Sequence, residues 1–143
     1  MDIRPLTETY AVSPQIMPED AAAIRAAGYT TVICNRPDME IPPELHADRM
    51  REAVEAAGMT FVENPLSHGN LTLDIVELQG RAIADSAGPV LAYCASGNRS
   101  SVLWALSQAG RMPTDELIGL PARFGYQLGG LRAQIEALAA AKG

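Results

Sequence analysis

Four short apolar runs, each followed by a helix-like segment, constrain this chain more than any other feature. Residues 9–15 (TYAVSPQ), 30–35 (TTVICN), 59–65 (MTFVENP) and 89–94 (PVLAYC) read as strands rich in β-branched and aromatic residues. Between them lie segments that read as helices. The first runs from Pro18, Glu19 and Asp20 to Ala27, opened by proline and acids and closed by Gly28. The second spans about 44–57 and stops at Gly58; the third begins near Thr72 and Asp74 and runs to about Ala84. Residues 99–109 (RSSVLWALSQA) come after the last strand as a helix closed by Gly110, and helices are expected near 114–119 and 126–141. The fourth run is almost continuously apolar, as a strand covered on both faces must be. Strand and helix alternating four times predicts an α/β fold: a central, mostly parallel sheet of about four to five strands flanked by helices.

The 143 residues suit one domain spanning 1–143, long enough to bury roughly two thirds of the unfolded chain's surface. Two cysteines do not form a disulfide framework, and no apolar run reaches the length of a membrane span. The first ten residues lack a signal-peptide core, so a cytoplasmic location is the expectation. The net charge of −6 argues against nucleic acid or an anionic membrane as partner, because no basic face can follow a phosphate backbone. An anion can bind only in a local site. His46, His68, Cys34 and Cys94 show no zinc-like spacing and no Gly-rich nucleotide loop is present, so no metal or cofactor is expected.

Such a local site is written at residues 93–101, Tyr-Cys-Ala-Ser-Gly-Asn-Arg-Ser-Ser. The segment joins the fourth apolar run to a helix, and ligands of open α/β sheets sit at the carboxyl ends of strands. Gly97 and Asn98 tolerate left-handed backbone angles, so the amides of Ala95, Ser96, Gly97 and Asn98 can turn inward around one anion at a helix N-terminus. Those dipoles and the Arg99 guanidinium favour the Cys94 thiolate, the nucleophilic form. Ser100 or Ser101 could bond the sulfur, cap the helix or assist a leaving group. A lone cysteine is more often an inert buried residue, but Cys, Gly, Arg and Ser arriving together at a strand-to-helix turn point to catalysis.

These residues also carry a resemblance. Val12-Ser13-Pro14-Gln15, the segment 28–32 with Asn35-Arg36-Pro37-Asp38, Asn64-Pro65-Leu66, the run 89–94 into Ser96-Gly97-Asn98-Arg99-Ser100 with Trp104, and Gly125-Tyr126 keep their order from about residue 12 to 131. In them the chain resembles the phosphatase-like domain family of beta-lactamase-hydrolase-like proteins. The resemblance implies a cysteine-phosphatase-like fold with Cys94 as nucleophile and Arg99 as oxyanion binder, and the family has also been linked to sulfur transfer. Ala95 departs from the basic residue common in the family, and Tyr93 stands where phosphatases usually place His.

Sulfur and phosphate chemistry remain as alternatives. Tyrosine phosphatases place five residues between Cys and Arg; four stand here, as in rhodanese-type loops. A terminal sulfur needs less room than a phosphoryl group. The loop at 66–70 holds no Asp to protonate a leaving alkoxide, leaving His68 as the best stand-in, with Asp38 and Asp74 weaker. Release of sulfite needs no acid. The leading expectation is therefore a sulfurtransferase working through a Cys94 persulfide, taking sulfur from a thiosulfate-like anion and passing it to a thiol acceptor or cyanide. A phosphatase acting on a phosphoester through a Cys94 phosphoenzyme is the alternative, and a non-catalytic anion sensor is the third reading. Arg36 and Asp38 are accessory candidates, although Asp38 could simply pair with Arg36. Cys34 could resolve an oxidised Cys94 or merely fill space in the core. His46 reads as a surface residue in a helix, and Leu103 and Trp104 as core.

Overall fold

The computed structural model describes residues 1–142. The four expected strands form, as β2 (Tyr10–Ser13), β3 (Thr31–Cys34), β4 (Thr60–Glu63) and β5 (Val90–Tyr93), and a two-residue β1 (Arg4–Pro5) joins them. Their order is β1-β2-β5-β3-β4. β2, β5, β3 and β4 pair in parallel and only β1 is antiparallel, against β2. β5 therefore sits mid-sheet, which is why residues 90–93 are all buried and uninterruptedly apolar.

The helices are α1 (Ala21–Ala26), α2 (Ala47–Ala56), α3 (Leu73–Asp85), α4 (Asn98–Ser107), α5 (Thr114–Ala122) and α6 (Arg132–Lys142). Side-chain alternation along each strand splits the core into two layers. Ala11, Val32, Cys34, Leu91 and Tyr93 face α1 and α2, packing on Ile24, Met50 and Val54. Tyr10, Val12, Ile33, Val90 and Ala92 face the other way, onto Val76 of α3 and Leu103, Trp104 and Leu106 of α4, with Leu117 and Ile135 behind. Leu103 and Trp104 are core, as their spacing implies; Tyr10 and Trp104 stack with ring centres 6.0 Å apart.

Several boundaries depart from expectation. The first helical segment opens as a 3-10 turn at Pro18–Asp20, and a second turn at Pro43–Leu45 precedes α2, so His46 is the residue before the helix and not within it. The final helix starts at 132 and not 126, after a 3-10 turn at Gly129–Leu131, while α5 extends past 119 to Ala122. No helix among the described residues is long and apolar enough to cross a membrane.

Candidate active site

Beyond β5 the strand ladder runs out and the chain curls into a cradle. Cys94 N–H still bonds to the Ser13 carbonyl at 3.4 Å, and the chain then turns through Gly97 at φ +96° into α4. The loop's carbonyls are tied outward. Ala95 O accepts from Gln15 N, Ser96 O accepts from the Tyr126 hydroxyl at 2.7 Å, and Gly97 O accepts from both Ser101 N and Ser101 Oγ. Gly97 N–H donates to Cys94 Sγ at 3.1 Å, and the N–H groups of Ala95, Ser96, Arg99 and Ser100 meet no acceptor among the described residues. Asn98 N–H, expected to face the anion, donates instead to Ser96 Oγ at 3.2 Å, so the four orphan donors, two of them in the first turn of a ten-residue helix, are not the set expected.

Tyr126 holds that shape. Arg4 donates to its oxygen at 2.7 Å, and since Arg4 has only donors to offer, the phenol's single proton must go to Ser96 O. Burial raises the tyrosine's pKa, keeping it a donor. Its hydroxyl lies directly against the hydrogen side of Gly97, so no side chain fits at 97.

Arg99 is fixed from the opposite side. Nη1 donates to Glu40 Oε2 at 2.9 Å and to Leu66 O at 2.7 Å; Nη2 donates to Glu40 Oε1 at 2.8 Å. This end-on pairing leaves Nε–H and one Nη2–H, the two parallel donors of the guanidinium's side edge, clear of Glu40 and Leu66, with the Cys94 sulfur within hydrogen-bonding reach of the guanidinium. The Glu40 pair holds Arg99 firmly protonated; burial opposes this and the charge on Cys94 adds to it. In turn, Arg99 first and Arg36 second hold the Glu40 carboxyl below its ordinary range. Arg36 reaches Glu40 through Nε at 3.2 Å and Gln15 through Nη1 at 3.2 Å, so it belongs to the rim of the site.

Two expected roles fail on geometry, and burial works against a third. Ser100 is fully buried and donates its hydroxyl to Asn35 Oδ1 at 2.9 Å, while Ser101 caps Gly97 O; neither hydroxyl is turned to the sulfur. Asp38 does not pair with Arg36: its Oδ1 accepts from Ala47 N at 2.8 Å, satisfying the first turn of α2. Cys34 shares the α1/α2 side of the sheet with Tyr93, its thiol donates to Arg36 O at 3.4 Å, and burial raises its pKa. A thiol held protonated is a poor partner for disulfide exchange. His68 is exposed, two residues beyond the Leu66 carbonyl that receives Arg99.

Sequence reasoning missed Glu40 and Tyr126. The Arg36/Glu40 spacing of four could have flagged the first; the second stood among the residues of the resemblance, as Gly125-Tyr126, without a role. Beneath both lies a buried polar cluster. Gln79 of α3 accepts from Asn35 Nδ2 and Asn64 Nδ2, both at 2.9 Å, and donates to Tyr10 Oη at 3.0 Å and Asn35 Oδ1 at 3.2 Å. Tyr10 Oη–H then bonds the Ser100 carbonyl at 2.8 Å, tying the first turn of α4 to three strands and α3.

A family model for the phosphatase-like domain of beta-lactamase hydrolase-like proteins matches residues 2–111. The chain belongs to this family. A beta-lactamase hydrolase-like protein of Xylella fastidiosa is 34% identical over 131 residues, covering 90% of this chain and 30% of the relative. The chain thus spans about a third of the length of the curated relatives it matches. A candidate phosphatase of Neisseria meningitidis Z2491 superposes with a TM-score of 0.81 at 34% identity, covering 96% of this chain and 99% of that one. A cysteine-to-serine variant of P. aeruginosa TpbA, solved with phosphotyrosine, superposes with a TM-score of 0.68 at 15% identity over 97% of this chain and 88% of its own. That likeness establishes a protein-tyrosine-phosphatase-like fold.

Proposed function

We propose that this protein is a cysteine-dependent phosphatase acting on phosphate monoesters. One observation carries the reading. The Cys94 sulfur accepts from Gly97 N–H and lies within reach of Arg99, and four neighbouring loop and helix-start amides meet no acceptor among the described residues, which gives donors for several oxygens at once. Membership of a phosphatase-like family supports it. The Cys94 thiolate attacks phosphorus, the S–P bond forms as the P–O ester bond breaks, and water then cleaves the phosphoenzyme to phosphate and free thiolate. Charge growing on the equatorial oxygens falls on donors already in place.

The protonation step narrows the substrate. Asp38 is committed to α2 and the loop at 66–70 offers only His68, so leaving groups that depart without strong acid assistance are favoured: aryl rather than alkyl phosphates. Sulfur transfer keeps two arguments, the four-residue spacing of Cys94 and Arg99 and the missing Asp at 66–70. In that reaction Cys94 attacks the outer sulfur of thiosulfate, an S–S bond forms and sulfite leaves.

Hydrolysis of p-nitrophenyl phosphate and intact mass after thiosulfate treatment separate the two. The phosphatase reading expects turnover of the aryl ester, little turnover of an alkyl phosphate, and loss of turnover in Cys94→Ser with phosphate binding retained. A gain of one sulfur on Cys94, with no hydrolysis of the ester at any pH, would overturn it.

A further inference from the structure

On the α3, α4 and α6 side of the molecule, away from the cradle, lies a groove of about 490 Å³. Its apolar wall is Leu73, Val76, Leu106 and Leu138, and these four residues continue into an adjoining hollow of about 310 Å³ beside Leu71. Leu73 is 57% exposed and Leu71 45%, although both sit beside an apolar surface that could have covered them. The rest of the groove carries Arg81, Arg111 and Lys142. Arg81 comes eight residues after Leu73 on α3, about 12 Å along the axis, so the apolar and cationic parts are separated along the groove.

Neither Arg81, Arg111 nor Lys142 forms an ion pair among the described residues, and Glu77 is the only acidic residue lining the groove. Lys142 donates to Ser107 O at 3.0 Å and Ala109 O at 2.7 Å at the carboxyl end of α4, which leaves one of its three N–H groups for a ligand. Burial first, and the neighbouring Arg111 second, lower its pKa. In a chain of net charge −6, three cations without an ion pair among the described residues, at one end of an apolar trough, are a charge pattern that calls for a counterpart.

We propose that this groove binds a single-chain anionic amphiphile, with its alkyl tail along Leu73, Val76, Leu106 and Leu138 and its carboxylate between Arg81, Arg111 and Lys142. The site is independent of the Cys94 cradle. A medium-length chain fits the separation, and the open top admits it without displacing a helix.

The probe is decanoate below its micelle-forming concentration, tracked by amide NMR shifts on the full chain. Saturable shifts at Leu73, Val76, Leu106 and Leu138 are expected, with decanol and butyrate binding more weakly because each lacks one half of the match. Arg81→Gln with Arg111→Gln should weaken binding roughly tenfold. Leu73→Ser, at a position outside the core, should weaken it also. Shifts confined to Gly97 and Arg99, equal binding of decanol, an unchanged affinity in both variants, or self-association of the chain through this face would each overturn the proposal.

Discussion

Replacing Gly97 by Ala tests whether the cradle is shaped by the contact with Tyr126. Two costs can be separated. At φ +96° an L-residue is strained, by about 1–2 kcal/mol. The new Cβ would also overlap the Tyr126 hydroxyl and come within 3.0 Å of its Cζ, so the ring must move. Moving it breaks the bond to Ser96 O and the charge-assisted bond from Arg4, together about 1–3 kcal/mol. Gly97→Ala should therefore lose roughly 3–4 kcal/mol in urea unfolding, and turnover should fall at least a hundredfold because Ser96 and Gly97 amides shift. Tyr126→Phe alone should lose about 1–2 kcal/mol. The double variant has no hydroxyl to strike, so its loss should fall short of the sum by at least about 1 kcal/mol. A Gly97→Ala loss under about 1 kcal/mol, or strict additivity, would refute the claim that Tyr126 sets the loop.

Two further substitutions probe the supports. Glu40→Gln should lower kcat/KM by about tenfold to a hundredfold, because Arg99 loses its end-on partner and its side edge swings off the cradle. The sign with pH is fixed: the Glu40 carboxyl is lowered from 4.5, so its pairing is complete above that value and is lost as pH falls through the lower folded-state value. The stability difference between wild type and Glu40→Gln, from urea melts, should be flat above pH 4.5 and shrink below it; growth toward acid would contradict the pairing. Gln79→Leu leaves an N–H on each of Asn35 and Asn64 buried and unpaired, and should cost about 3–5 kcal/mol by chemical denaturation. A loss under about 1 kcal/mol would mean the cluster is not structural.

Whatever is local in this fold is legible in the chain before it folds. A buried parallel strand announces itself as unbroken Val, Leu, Ala and Tyr, and the cradle as Cys, Gly and Arg in one turn. β1 is not legible because two residues carry no period; it exists because Arg4 is drawn to Tyr126 and Val12, far away in sequence. The late start of α6 has a similar origin: Tyr126 is held by Ser96, and Gly129 and Gly130 disfavour helix before Arg132. The commitment of Ser100 is hidden in the sequence because the acceptor of its hydroxyl, Asn35, ends a different strand. The preference for sulfur over phosphate rests on the spacing of Cys94 and Arg99 and on the missing Asp at 66–70, and neither says how many donors the folded loop leaves unpaired.

The acidity of the chain and the anion affinity proposed for the cradle are compatible for a reason of scale. Six excess negative charges spread over the surface act through water and salt, and at physiological ionic strength their field fades over about 8 Å. The cradle acts at contact. Glu40 cancels one charge of Arg36 and Arg99, leaving the trio with a net positive charge, and the unpaired amides supply dipoles that no salt can screen from a group they touch. Recognition is thus carried by donor geometry rather than by long-range attraction. An anionic ester should gain little from electrostatic steering, and kcat/KM should respond far less to salt than to Gly97→Ala or Glu40→Gln. The carboxylate at 40 is then consistent with an anion site: it occupies two of the five N–H groups of Arg99 and so holds the side edge of the guanidinium in the direction that matters.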